Sequence, residues 1–444
     1  MKLYYSFFFL SLFVITGSIA QEKPNIIVIV SDDAGYADFS FQSDKLTATP
    51  NIDRIAHEGA KFTNAYVTAS VCSPSRAGLL SGINQPEFGH IYNYIKGVTY
   101  SIDQDEYGLP HNVKMIGEYL QPLGYATAAF GKWHEGFAEE FQPQQKGFDH
   151  FWGFLWGSNH YHTGKAIDVI DNGRPVDAAT IPYMTDAITD EALKFASKNS
   201  EKPFFLYMAY NAVHSPLEAK PEHVEMFKGT FPGDPKRDIL AAMTYSLDEN
   251  IGKVFDQLDT MGELENTIIF FINDNGGSKH ISANNSPLKG YKGQLYEGGI
   301  RVPFAVRWPG KINRETVCHS ITSSLDILPS ILDAVGYSKR NLEGKSVLEL
   351  INKPQEQDHR ELYWHTSQYN GAVRSGQWKL IVNKGNHELY NLDQDLAEED
   401  DLLESNPQQY QKMKEKYDQW LAQLPHPYFV PTSGKNAWVS GEGD

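Results

Sequence analysis

Cysteine is nearly absent from this chain: Cys72 and Cys318 are the only two among 444 residues. That excludes a disulfide-stapled scaffold and leaves, for an exported protein, one conceivable bridge between them. Paired-cysteine ligand sets are missing too, and no His-rich tract replaces them, so zinc is a poor expectation. No apolar run is long enough to cross a bilayer. The run from Phe7 to Ile15, with Lys2 before it and Ser18-Ile19-Ala20 after it, reads as a secretory signal peptide over residues 1–20. No cysteine stands directly after that cut, so no lipid or other membrane anchor is expected and the mature chain should be periplasmic or secreted. Basic residues are few: 39 Lys and Arg face 56 Asp and Glu, a net charge of −17 that becomes −18 when Lys2 leaves. So acidic a chain is no nucleic-acid binder. Internal repeats and low-complexity segments are absent as well.

What is present is a set of β-branched and aromatic runs that end in polar residues. Asn25 to Val30, Tyr125 to Phe130, Phe204 to Tyr210 and Thr267 to Ile272 read as strands buried on both faces, the pattern of a parallel sheet. Helical patterns lie between them at Asn51–Glu58, Met115–Leu120, Asp186–Ala196 and Met243–Leu258, the last with Leu247, Ile251, Val254, Phe255 and Leu258 on one stripe. Ser323 to Gly336 reads as a further helix. The expected fold is α/β, a large mixed and mostly parallel sheet sandwiched by helices over residues 21–351. Residues 352–444 should form a smaller C-terminal subdomain after a polar linker at Asn352–Asp358. Short strands at Glu361–Thr366, Ala372–Arg374 and Trp378–Val382 predict an antiparallel sheet. A helix starting at Asn406-Pro407 should cover it with Tyr410, Met413, Tyr417, Trp420 and Leu424.

Sheets of this kind bind ligands beyond the carboxyl ends of their strands. Asp32-Asp33 and Asp274-Asn275 stand at two such ends and offer oxygen ligands to a hard cation such as calcium or magnesium. Each pair alone also suits a solvated turn. Gly131-Lys132-Trp133-His134 and His214-Ser215-Pro216 follow the other two strands, and Lys292 lies in the glycine-flanked loop Leu288–Gly299. The stretch Val71–Gly82, VCSPSRAGLLSG, reads as a helix with Ser73 as N-cap and Pro74 in first position, opening its free amides to an anion beside Arg76. A phosphatase-type thiolate loop fails on spacing, because its arginine would have to stand at Gly78.

These segments resemble, in order and spacing, the type I sulfatases, whose Cys-x-Pro-Ser-Arg cysteine is oxidised to Cα-formylglycine. The similar stretches are Thr49–Arg54, Cys72–Gly82, Gly131–His134, His214–Pro216, Asp274–Gly277, Leu288–Pro303, Ala372–Leu380 and Glu388–Asp393. The resemblance implies an alkaline-phosphatase-like fold and an exported sulfuric ester hydrolase acting on a sulfated carbohydrate, matured by a formylglycine-generating or equivalent enzyme. It implies that Asp32, Asp33, Asp274 and Asn275, with residue 72, hold Ca2+ (or Mg2+), and that Arg76, Lys132, His134, His214 and Lys292 line the sulfate pocket. In the family mechanism one hydroxyl of the hydrated aldehyde attacks sulfur. His214 and Lys292 would then protonate the leaving oxygen, and His134 would take the proton that releases sulfate. Ser158 matches a family pocket position.

Trp152, Trp156, His160, Tyr161 and His162 suit stacking on a sugar ring, or else divide into core tryptophans and surface histidines. Two departures from the family pattern stand out: Glu135, expected to face water, and Tyr291 before Lys292. A phosphonate or phosphate ester hydrolase and an inactive sugar-binding relative are the alternative readings.

Overall fold

In the computed structural model, residues 23–43, 48–165, 168–338, 342–351, 360–367 and 370–433 are described. The signal peptide and the Asn352–Asp358 linker lie outside the described residues. Ten strands form one sheet, and its centre is a parallel block in the order Thr267–Asn273, Asn25–Ser31, Phe204–Ala209, Ala126–Lys132, His150–Phe154. Antiparallel pairs extend it on both sides: Phe304–Arg307 beside Thr267–Asn273, and Ile170–Asp171 beside His150–Phe154.

The continuous apolar runs are explained by burial from two sides. Ile27 and Ile29 enter the core under the Pro235–Thr260 helix, while Ile26, Val28 and Val30 enter the opposite core under Cys72–Ser81 and Ile327–Ala334. All five are fully buried. Parallel pairing also puts every carboxyl end of this block at one edge, where the polar residues collect.

The small sheet is a four-stranded antiparallel meander, Glu361–Ser367, Asn370–Ser375, Trp378–Asn383 and Asn386–Asn391. The fourth strand was not expected as one. Trp364, Ala372 and Ile381 on one face pack against Tyr66 and Ile300 of the large sheet's surroundings. Val373, Leu380 and Leu389 on the other face meet Met413 and Tyr417 of the Pro407–Leu421 helix, with Leu421 rather than Leu424 completing the stripe. Among the described residues no helix is long and apolar enough to cross a membrane.

Candidate functional site

Just past the sheet the chain remains tied strand to strand. Asp32 N–H donates to Ala212 O at 2.9 Å, Val213 N–H to Asp32 O at 2.8 Å, and Asp274 N–H to Ser31 O at 3.0 Å. Asp33 and His134 both adopt φ of 64°, the left-handed region, at a cost of about 1–3 kcal/mol each for a residue other than glycine. The turns at Asp33 and His134 follow two strands separated by Phe204–Ala209 and present their side chains to one point.

Three carboxylates and three cations converge there. Lys132 Nζ lies 2.7 Å from Asp32 Oδ2, Lys292 Nζ 2.6 Å from Asp33 Oδ1, and Arg76 contacts Asp274 Oδ2 through Nε at 3.0 Å and Nη2 at 2.8 Å. Burial favours the neutral form of Asp32, but Lys132, His214, Arg76 and Lys292 prevail and hold its carboxyl far below the usual range. Burial also opposes the charge on Lys292, and Asp33, Cys72, Asp32 and Asp274 override it and push its ammonium well up. The six charges therefore balance one another, and an incoming anion meets a site already ordered for it.

Cys72 sits in the middle, its Sγ 3.1 Å from Lys292 Nζ and 3.8 Å from Asp32 Oδ1. Burial pushes its thiol up to about 12 despite Lys132 and Lys292, so an unmodified Cys72 is a thiol and a poor nucleophile near neutral pH. The conceivable Cys72–Cys318 bridge is not formed: both cysteines are free, and Cys318 Sγ faces Leu350 O at 3.7 Å. The helix also starts differently from the sequence expectation. It runs from Cys72 to Ser81 with extended Val71 as its cap, and Ser73 turns its hydroxyl to Tyr107 and to His90 Nε2 at 2.8 Å. Ser73 N–H donates to Asn93 Oδ1 at 2.9 Å, so that amide is not open to an anion.

His134 and His214 flank this centre. Burial, with Lys132 and Arg76 adding to it, lowers His134 well below an ordinary histidine, leaving it neutral, and its Nδ1 is buried without a partner. His214 Nδ1 donates to Ser215 O at 2.6 Å, so Nε2 is the nitrogen that faces the site, 3.6 Å from Asp33 Oδ2. Tyr161, fully buried, braces this loop by donating to Asn211 O at 2.5 Å and His214 O at 2.9 Å.

The carboxylates suit a hard divalent cation: ligand atoms of Asp32, Asp33, Cys72 and His214 all lie within 4.8 Å of one another, while Asp274 stands outside that group with its Oδ2 held by Arg76 Nη2 at 2.8 Å. Asn275 donates its amide to Asp33 Oδ1 at 2.8 Å, and its Oδ1 is left buried without a partner, as a carbonyl-type ligand would be.

A cleft of about 680 Å³ opens from Cys72, His134, His214 and Lys292. Trp156, Ser158 and His160 line it; His162 does not, since its Nε2 bonds Ala219 O at 3.0 Å and its ring packs on Tyr183. Trp152 belongs to the core. Tyr94 and Lys96, which the sequence pattern did not single out, line it as well, with Lys96 Nζ 5.9 Å from the Trp156 ring. Glu135 is fully buried instead of facing water, 3.5 Å from Ser73 Oγ and 3.8 Å from His90 Nε2, and burial pushes its carboxyl well up. Tyr291 stays on the outer side of its loop, its ring 5.8 Å from Lys279 Nζ, and Lys292 still enters the site.

Gly157 sets the space for His134: a Cβ there would lie 2.6 Å from Cε1 of that ring. Gly157→Ala should therefore displace the imidazole and lower kcat by up to about 10²-fold with little change in melting temperature. Steady-state kinetics beside a thermal melt checks this.

Comparison with known proteins agrees with this geometry. The chain is 33% identical to Ps i-CgsB, solved in complex with k-i-k-neocarrahexaose, covering 92% of this chain and 94% of that one with a TM-score of 0.85. It is 30% identical to the uncharacterized sulfatase YdeN of Escherichia coli K12 over 88% of this chain and 84% of that protein. Human N-acetylgalactosamine-6-sulfatase is 31% identical over 81% of this chain and 72% of its own length. Residues 291–426 match the N-sulphoglucosamine sulphohydrolase C-terminal family. Residues 24–337 match the sulfatase family, and since that span is most of the chain, this protein belongs to the sulfatase family of enzymes.

Proposed function

We propose that this chain removes sulfate from a sulfated carbohydrate outside the cytoplasm, with residue 72 working as formylglycine and a calcium ion held by Asp32, Asp33, Asp274 and Asn275. The observation that carries this reading is the buried Cys72 thiol, unsuited to attack as it stands, set among the cations Arg76, Lys132 and Lys292 and the carboxylates of Asp32, Asp33 and Asp274. The aldehyde hydrate would supply the attacking hydroxyl, and the divalent cation would withdraw charge from the sulfate oxygens.

The chain's own residues do the rest. Arg76, Lys132 and Lys292 stabilise negative charge on the transferring group, most effectively because they are buried and already positioned. His214, at the mouth of the cleft, and Lys292 donate a proton toward the departing sugar oxygen. His134, kept neutral by burial, accepts one. Trp156, Ser158 and His160, with Tyr94 and Lys96, would hold the sugar, and the neocarrahexaose bound to the similar Ps i-CgsB supports a saccharide there.

Two measurements test the reading together. Peptide mass spectrometry across residue 72, on protein from a host that carries out the modification, should show sulfur and two hydrogens exchanged for one oxygen. Aryl sulfate should be hydrolysed and aryl phosphonate should not; turnover confined to the phosphonate, or an unmodified thiol in active enzyme, overturns the proposal. Metal removal gives a readout independent of turnover. Dialysis against a chelator should lower thermal stability, and Ca2+ at about 100 times its dissociation constant should restore about 2.7 kcal/mol.

A further inference from the structure

A second cavity, of about 270 Å³, adjoins the catalytic cleft, and among the described residues that line it none carries a charged side chain. Asn93 and Ile95 form a wall common to both. The neighbours in sequence divide between them: Cys72 and Lys292 face the cleft, while Val71 and Gly293 face the second cavity. An occupant of the cavity would therefore stand directly beside the group being desulfated.

The lining asks for a polar but uncharged ring. Ile91, Val98, Tyr100 and Pro431 supply apolar and aromatic surface. Ser70 is fully buried in the wall and its hydroxyl has no partner. The amide of Asn93 is fixed by Ser73 N–H donating to Oδ1, which leaves Nδ2 as a donor. Asn370, at the start of the second strand of the small sheet, brings another amide from the C-terminal subdomain. A sulfate or carboxylate placed here would lose its water with no cation among the described lining residues to replace it.

We infer that this cavity is a subsite for an uncharged pyranose unit linked to the sulfated one, so that the enzyme selects chains in which a sulfated residue has an unsulfated neighbour. The inference rests on the carbohydrate reading above and extends it to the neighbouring unit. The C-terminal subdomain then contributes to substrate choice as well as to packing.

The test uses the full chain, its Asn370→Ala and Val98→Trp variants, an aryl sulfate that fills only the catalytic cleft, and size-fractionated oligosaccharides of partly sulfated galactans, whose unsulfated units carry no charge. For an oligosaccharide that the wild type desulfates, each variant should raise the ratio of oligosaccharide KM to aryl sulfate KM at least 10-fold. Fully sulfated oligosaccharides should be poorer substrates of the wild type than those with an unsulfated neighbour. An unchanged ratio in both variants, or equal losses on both substrates, overturns the subsite and leaves the carbohydrate reading standing. If the wild type hydrolyses aryl sulfate and none of the oligosaccharides, both fall.

Discussion

Cys72→Ala is expected to lower kcat for an aryl sulfate by on the order of 10⁴-fold or more while the protein still folds. The size of the effect follows from where the residue stands. Arg76, Lys132, Lys292 and the acids around them are all supplied by other positions, so deleting Sγ leaves the charge cluster intact and removes the group that would become the nucleophile, together with one of the several ligands of the cation. Sγ accepts from Lys292 Nζ at 3.1 Å, but that ammonium keeps Asp33 at 2.6 Å, so no buried charge is stranded by the change. Binding should survive, and a sulfated ligand should still raise the melting temperature of the variant. Measuring kcat beside ligand-induced stabilisation separates this outcome from unfolding; retention of more than a tenth of the activity would show that residue 72 is not the nucleophile.

The parts of this site that the sequence made legible are those where one strand decides both burial and chemistry. NIIVIV followed by Ser-Asp-Asp, and TIIFFI followed by Asn-Asp-Asn, can be read because a strand covered on both faces must be apolar until it leaves the sheet. Their convergence is a consequence of parallel pairing, which brings the carboxyl ends of adjacent strands to one edge. What was not legible depends on segments far apart in sequence.

Ser73 looks like a helix cap beside its own proline, yet its hydroxyl answers to His90 and Tyr107. Glu135 looks like a surface carboxylate because nothing in Trp133-His134-Glu135-Gly136 reveals the two partners, at 73 and 90, that enclose it. The possible pairing of Cys72 with Cys318 was open on composition alone. It closes once Cys72 is placed at the carboxyl edge and Cys318 on Thr316–Cys318, the outermost strand beside Ala60–Phe62. Tyr94 and Lys96 come from a stretch with no periodicity to flag them, and only the folded loop shows them as a wall of the cleft.

The second large effect concerns the junction of the two sheets. Lys379→Ala should destabilise the protein by about 3–5 kcal/mol, because it removes the one partner shared by two buried carboxylates. Lys379 is fully buried, with Nζ 2.9 Å from Glu297 Oε1 and 2.8 Å from Glu398 Oε1. The two acids answer differently to pH. Burial opposes the charge on Glu297, but Lys379, Arg301 and Arg374 prevail and lower its carboxyl to about 2, so its contribution is present above about pH 4.5 and is lost as pH falls toward 2. Glu398 goes the other way. Burial outweighs Lys379 and raises it to about 7, so its contribution is complete below about pH 4.5 and is lost as pH rises through 7.

Wild-type stability from this junction should therefore decline between pH 5 and pH 8, and Glu398→Gln should flatten that decline. Lys379→Ala should deepen it, since Glu398 would then have to ionise without its cation. The consequence reaches the active site, because Glu297 opens the short helix Glu297–Ile300 only five residues after Lys292 and its N–H donates to Glu398 Oε2 at 2.7 Å. Loss of the lysine should thus loosen the loop that carries Lys292 and raise hydrogen exchange over residues 288–300 before the large sheet opens. Denaturant unfolding at pH 5 and pH 8, with exchange read by mass spectrometry, checks both; a change below about 1 kcal/mol in Lys379→Ala would mean that the buried carboxylates do not depend on this cation for their charge.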